Sequence, residues 1–480
     1  MKNETDILKN DLKTLGPVKA IETESYPRWL SWLFLAAALV YCLIIPPFQS
    51  PDETFHFFKS YQVAVGGVKN THGQGGLGYV LPQDVRELTG STFPLKAVES
   101  GEKYVVSDVL KHVFHTSNTS GSVFVVFPNA ASYSPTMYLP QALGIFVARA
   151  LDAPILLQFY SGRFVNALCG ILLALAAISI MPFGRSVMVG ILALPMTLFQ
   201  IGSLSPDSTI LGLSFLVTAM AFYSIQPRNM MNWQSVAMPL AIIGLILAKG
   251  VYLPIAAAGF SIKNKLSNRN QLIVLGAIAA GIVLFLAWTA LGGHGGGFQA
   301  SLVSRKTLQR EITAIPMEQL QFILASPFSY CYVLITSIVD RLPTYIVGII
   351  GRFGWNTIIL PIPLYLFAGF ALVVCLVKSA SAKKTVDKGQ LTWWLILCLG
   401  MLVLIETALY LTGTPYGADY IQGTQGRYFT PFLPLLGIVM AGFLRTTSAW
   451  QRFTEKMFAP SIVVLIAGGV MAACVSYWTI

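Results

Sequence analysis

Ten separate stretches of this chain are each apolar for close to the roughly 20 residues that a helix needs to cross a hydrocarbon layer. They lie at 29–46, 155–181, 187–203, 207–225, 234–249, 271–291, 357–377, 391–412, 429–445 and 460–478. Shorter or ambiguous runs at 136–151, 251–262 and 320–350 bring the expectation to about eleven to thirteen spans. Composition agrees: of 480 residues, 55% are hydrophobic and 11% charged, against roughly 25% charged in soluble domains. The chain therefore reads as an all-α polytopic membrane protein. Its six cysteines (Cys42, Cys169, Cys331, Cys375, Cys398, Cys474) sit in apolar runs without metal-ligand spacing and read as small hydrophobes.

Residues 1–28 mix Lys2, Lys9, Lys13 and Lys19 with Glu4, Asp6, Asp11, Glu22 and Glu24. That is not the basic start and small-residue cleavage site of a secretory signal, so the first run is expected to stay as a span behind a cytoplasmic head. The net charge of +11 has no basic cluster interleaved with aromatics, which argues against a nucleic-acid partner. It reads instead as an orientation signal. With the head cytoplasmic and 136–151 lying along or dipping into the outer surface, the inner loops carry Arg185, Arg228, Lys263, Lys265, Arg269, Lys378, Lys383, Lys384, Lys388, Arg445, Arg452 and Lys456. Residues 29–480 then form one transmembrane domain with two long outer segments, 47–154 and 292–327. The second opens with the Gly-rich "GGHGGGF" and carries Arg305, Lys306, Arg310 and Glu311, the pattern of a hinged lid. No internal repeat argues for an inverted-repeat transporter.

The stretch "PPFQSPDETFHFF" stands where the first run ends. One reading is helix capping: Ser50 as N-cap, Pro51 at the first helical position, Glu53 as the capping-box carboxylate. The same Ser-Pro grammar recurs at Ser134–Pro135 and Ser205–Pro206. Capping leaves the next residues unexplained, because Asp52, His56 and Lys59 share one helical stripe amid Phe55, Phe57, Phe58 and Tyr61. Ionisable groups at a membrane surface are candidate functional groups. Asp207 opens a later span, as a cap or as a functional acid. Arg427 and its neighbour Tyr428 open another, where the helix dipole disfavours a cation unless an anion binds. Lys249 lies between two apolar runs and is placed to reach an anionic head group. Arg163, beside Asn166 inside an apolar run, requires an anionic partner, with Asp52 or Asp207 as candidates.

These residues sit in an ordered set of motifs: "FQSPDETFHFFKSYQVA", "YSPTMYLPQALGIF", "YSGRFVNAL", "SLSPDSTI" and "GRYFTPFLP". The set resembles the bacterial membrane-protein family called domain of unknown function 2142, which is similar to the GT-C glycosyltransferases. The resemblance runs from about residue 30 to 445 and implies a GT-C-like fold. It further implies inverting sugar transfer, on the outer face of the inner membrane, from a polyprenyl-phosphate sugar to a glycan or glycolipid such as an O-antigen. Asp52, with Glu53 and His56 beside it, matches the catalytic acid of the first outer loop, and Asp207 the acid of the next. Lys59, Arg163, Lys249, Arg427 and Tyr428 are the expected substrate-binding residues. "SPDST" departs from the paired-acid motif of the oligosaccharyltransferase branch, so no metal is assigned. Implied partners are membrane lipids, the donor and acceptor, a donor-synthesising enzyme and a flippase. Two rivals make different demands: a transporter or flippase of lipid-linked sugars needs broken helices and midplane charges, and a non-catalytic assembly partner makes Asp52 replaceable.

Overall fold

The structure, a computed structural model, describes residues 24, 26–73, 76–89, 102–113, 121–131, 133–225, 231–261, 269–290, 305–307, 310–312, 316–380 and 386–479. Most of the head, the "GGHGGGF" segment, the loop positions Arg228, Lys263, Lys265, Lys383 and Lys384, and the side chains of Arg305, Lys306, Arg310 and Glu311 lie outside the described residues.

The first helix, α1 (Trp29–Ile44), stops where Ile45 turns extended at φ −78°, ψ 114°, as a residue preceding a proline must. An eight-residue break, 45–52, separates it from α2 (Glu53–Ala64). The outer segment then folds as β1 (Thr71–Gly73), β2 (Gly76–Pro82) and β3 (Ser122–Val126), an antiparallel sheet in which Gly78 faces Thr71 on one side and Val126 on the other. Between β2 and β3 lies α3 (Val106–Val113). Just ahead of α3, Tyr104 pairs through its backbone with Tyr477 and Thr479 near the C-terminus. Next comes α4 (Leu139–Ala150), which at 12 residues is about 18 Å long and too short to span. It lies against the first half of α5 (Ile155–Ile180), where Ser161 donates to the Gly144 carbonyl at 2.8 Å.

The interior is a helix bundle. After α5 come α6 (Arg185–Leu192), α7 (Pro195–Ile201), α8 (Asp207–Ser224) and α9 (Asn232–Ala248). Helices α5 and α8 cross at Gly170 and Gly212, where a Cβ on Gly212 would stand 2.7 Å from the Gly170 carbonyl oxygen. Such close backbone approach through small residues is how helices associate in lipid. Further along lie α10 (Arg269–Trp288), α11 (Pro316–Ala325), α12 (Pro327–Gly351), α13 (Ile362–Ala380), α14 (Lys388–Gly413), α15 (Leu433–Phe443) and α16 (Ser448–Tyr477). Among the described residues seven helices (α5, α8, α10, α12, α13, α14, α16) are long and apolar enough to cross a membrane, with α1 and α9 as shorter apolar helices. The chain is a mostly helical, polytopic membrane protein.

The bundle has two unlike ends. At one, Phe183, Phe222 and Trp394 stack, Asn270 donates to the Ser224 carbonyl and Gln390 to that of Phe260, and Lys378 pairs with Glu455. Here too Glu24 accepts from the Gly184 and Ser186 backbones and from the Ser186 and Ser379 hydroxyls. At the other end gather the start of α8, the end of α9 and the turn that precedes α15. The ambiguous run at 320–350 becomes α11 and α12, and its ties all lead to that second end. Tyr330 bonds Thr407 near the end of α14, Ser337 accepts from the Ile421 backbone, and Gly348 lies against Gly426. Those ties fasten α12 to the second end of the bundle.

Candidate active site

Two groups of charges, one closed and one open, occupy this second end. The closed one is Glu53 with Arg163, both fully buried. Arg163 donates to Glu53 through Nε (2.9 Å) and a terminal nitrogen (2.6 Å), and to the carbonyls of Cys42 (3.0 Å), Ile45 (2.6 Å) and Pro46 (3.0 Å). Those five bonds use every donor a guanidinium has. Glu53 also accepts from the Leu204 backbone at 2.7 Å, and Phe159 stacks on the guanidinium at 4.6 Å. The pair thus joins the break after α1, the start of α2, α5 and the turn before α8. This corrects two expectations. The partner of Arg163 is neither Asp52 nor Asp207, and neither Arg163 nor Glu53 has a free polar atom to offer a substrate.

The capping expectation also changes. Ser50 is not the N-cap of α2; Asp52 is, in the left-handed region at φ 59°, ψ 8°, and its side chain makes no cap bond. A non-glycine residue held there is strained, and such residues collect at functional sites. Its carboxylate instead accepts from Asn129 at 2.9 Å. The Ser-Pro grammar holds better elsewhere: Ser134 accepts from the Thr136 backbone, and Ser205 from that of Asp207.

The open group is centred on Asp207. Lys249, at the end of α9, is 3.3 Å from one carboxylate oxygen, and Arg427 is 3.7 Å from the other. Arg427 donates from Nε to Gln425 at 2.7 Å and lies over the Tyr428 ring. Lys249 stands between the rings of Tyr133 and Tyr428, at 5.6 and 5.2 Å. Tyr252 fixes the Tyr428 carbonyl at 2.9 Å. His56 faces this group from α2, its Nδ1 2.9 Å from the Tyr138 hydroxyl. Burial drives the His56 pKa down to about 4, against the upward pull of Asp52 and Asp207, so the ring is neutral at ordinary pH. Asp52 lies within electrostatic reach of both His56 and Arg427. Two cations therefore share one directly paired carboxylate, at distances longer than those of the closed pair.

Lys59 does not join them. It is buried, donates to Gln62 (3.0 Å) and Asn70 (2.6 Å), and burial brings its pKa down to about 7. The expected Asp52–His56–Lys59 stripe is therefore split, its last member tying α2 to the outer sheet.

Beside Lys249 opens a cavity of about 320 Å³. Lys249, Tyr133, Tyr252 and Tyr428 form its polar mouth, and Leu247, Phe285, Ile405 and Leu409 are among its apolar walls. Among the described residues no three His, Cys, Asp or Glu side chains converge as a metal site requires. Sequence reasoning missed Asn129, Gln200 (3.5 Å from Asp207) and Gln425. They are neutral amides, which leave no charge or hydropathy signal.

A family model described as predicted membrane protein (DUF2142) matches residues 33–436. The chain belongs to this family. No curated protein matches significantly. Among solved structures, this DUF2142 chain is similar to ArnT from Cupriavidus metallidurans, crystallised with undecaprenyl phosphate. The likeness covers 94% of this chain and 77% of that one, at 13% identity and a TM-score of 0.44.

Proposed function

We propose that this protein is an inverting glycosyltransferase that moves a sugar from a polyprenyl-phosphate donor to a cell-envelope glycan or glycolipid, at the extracytoplasmic face of the bacterial inner membrane. The observation that carries the reading is the cation pair Lys249 and Arg427, which share Asp207, with Lys249 itself lining a mostly apolar cavity. A lipid phosphate has that same division, with an anionic head and a hydrocarbon tail. The GT-C-like resemblance of the motifs supports the reading. So does orientation, because Arg185, Arg269, Lys378, Lys388 and Arg445 belong to the opposite end of the bundle, which the positive-inside rule makes cytoplasmic.

The chemistry follows from the charges. An acceptor hydroxyl attacks the anomeric carbon while the bond from that carbon to the phosphate oxygen breaks, and the phosphate leaves with the electron pair. Lys249 and Arg427 stabilise the charge that grows on it. The hydroxyl proton needs a carboxylate within hydrogen-bond reach. Asp52 is our choice: it is partly exposed and, among the described residues, has no cation at ion-pair distance, whereas Asp207 serves as counter-ion to two. One base on the face opposite the leaving phosphate gives inversion. Neutral His56, anchored on Tyr138, borders Asp52 and orients it or the sugar.

The test is release of polyprenyl phosphate from a panel of polyprenyl-phosphate sugars by membranes bearing wild type or Asp52→Asn at matched expression. The expected result is release by wild type and a loss of about a hundredfold or more in the variant. Equal rates in both would remove Asp52 from the chemistry, and no release with any donor would favour the transporter reading.

A further inference from the structure

Glu406 is fully buried in α14, eighteen residues from its start, and none of the roles above uses it. A carboxylate inside a bundle of apolar helices is costly and is kept where it serves something. Here no cation of the described residues stands at ion-pair distance from it. One oxygen accepts from the Thr424 hydroxyl at 2.8 Å. The buried Tyr345 hydroxyl of α12 neighbours the carboxylate and the same threonine. Thr424 begins the turn that carries Gln425, Gly426, Arg427 and Tyr428. On its far side that turn lies against α12, where a Cβ on Gly426 would come within 2.2 Å of the Tyr345 carbonyl oxygen. The turn is therefore gripped from both sides, by Glu406 through a hydrogen bond and by α12 through a contact that only glycine permits. The neighbours of Glu406 on α14, Ile405 and Leu409, line the cavity beside Lys249.

We infer that Glu406 is a positioning residue: by holding Thr424 it fixes the 424–428 turn and so sets Arg427 and Tyr428 against the anion-binding mouth. Its consequence for ligand rests on the donor-site reading; its effect on the turn does not.

Two readouts on purified full-length protein separate the two. Amide hydrogen exchange over 421–428 reports the turn, and affinity for a short-chain polyprenyl phosphate reports the site. Glu406→Ala and Thr424→Val are expected to speed exchange in that segment and weaken binding by about tenfold. Glu406→Gln should restore both, because its amide oxygen still accepts from Thr424 and its NH₂ supplies the Tyr345 hydroxyl with a donor. Should Glu406→Ala fail to fold, Thr424→Val, which keeps the shape, decides. Wild-type exchange in a folded Thr424→Val overturns the inference whatever the affinity, and so does failure of Glu406→Gln to restore the turn. Faster exchange in a protein that binds no polyprenyl phosphate even as wild type upholds the grip on the turn and sinks the donor-site reading instead.

Discussion

Asp52 and Glu53 are adjacent in sequence and alike in chemistry, yet they serve opposite kinds of charge cluster. Both oxygens of Glu53 are bonded at 2.6 to 2.9 Å, and the guanidinium it binds has no donor to spare. Around Asp207, and within reach of Asp52, the ion-pair distances lengthen to 3.3 and 3.7 Å and two cations share one carboxylate. A saturated buried pair holds structure and offers nothing to a ligand. A looser one has a field, which is what an anionic substrate needs. The left-handed turn at Asp52 is where the chain passes from one cluster to the other, and Glu53, pinned by Arg163 and Leu204, holds that turn in place.

The contrast breaks most visibly through the closed pair. Arg163→Ala leaves the buried Glu53 carboxylate without its counter-ion and takes a donor from each of three carbonyls, so a loss of about 3–5 kcal/mol is expected. The measurement is thermal unfolding in detergent, with yield of folded protein as the second readout. Glu53→Gln should fail in the same way, whereas Asp52→Asn, the same change of acid to amide one residue earlier, should leave the melting temperature within a degree or two and remove transfer. A variant pair that melts alike would mean that the two acids are not the structural and chemical members of one turn.

A smaller effect is expected from the cations of the open cluster. Lys249→Gln and Arg427→Gln each leave Asp207 one counter-ion, so the fold should hold. Affinity for a polyprenyl phosphate should fall about tenfold for each, in keeping with the worth of a charge-assisted bond. The loss should shrink in high salt for Lys249, which is the more exposed of the two. Unchanged affinity in both would show that these cations do not face the ligand.

How much of this was legible beforehand depends on the kind of signal. Hydropathy exposed the long helices because the cost of unsatisfied backbone in lipid forces long apolar runs, but the expected span 187–203 folds as two short helices, α6 and α7, parted before Pro195. Hydropathy could not place α12, which passes the length and polarity test for a span and is tied to the second end of the bundle by Tyr330, Ser337 and Gly348. Those ties are tertiary, and no local pattern encodes them. Arg163 was legible as an arginine that must have an anionic partner, but the choice among Asp52, Glu53 and Asp207 depends on a backbone turn more than a hundred residues away. Capping logic read Ser134 well. At Ser205 the side chain bonds the Asp207 backbone although Pro206 takes the cap position. The same logic failed at Ser50, where Glu53 is drawn onto Arg163 and Asp52 takes the cap position. Glu406 was passed over because a single acid in an apolar run shows neither its turn nor its partner.

The smallest expected effect concerns His56, which lies between the two clusters. Its pKa in the folded protein is about 4, pushed down from the ordinary 6.5 first by burial and opposed by Asp52 and Asp207. As pH falls through 6.5 the unfolded chain takes up a proton that the folded chain refuses, so stability drops progressively between about 6.5 and 4 and is untouched above 6.5. Melting temperatures of wild type and His56→Gln should therefore diverge below pH 6.5 and run parallel from 6.5 to 8. Transfer should show no step near 6.5 that the variant abolishes, because a ring neutral throughout that range changes no charge beside Asp52. A step near 6.5 that disappears in His56→Gln would mean that the imidazole charges in the working site, which would make His56 a proton carrier in its own right. The open cluster would then hold a third cation facing the phosphate, and the division of labour between Asp52 and its neighbours would have to be redrawn around the histidine.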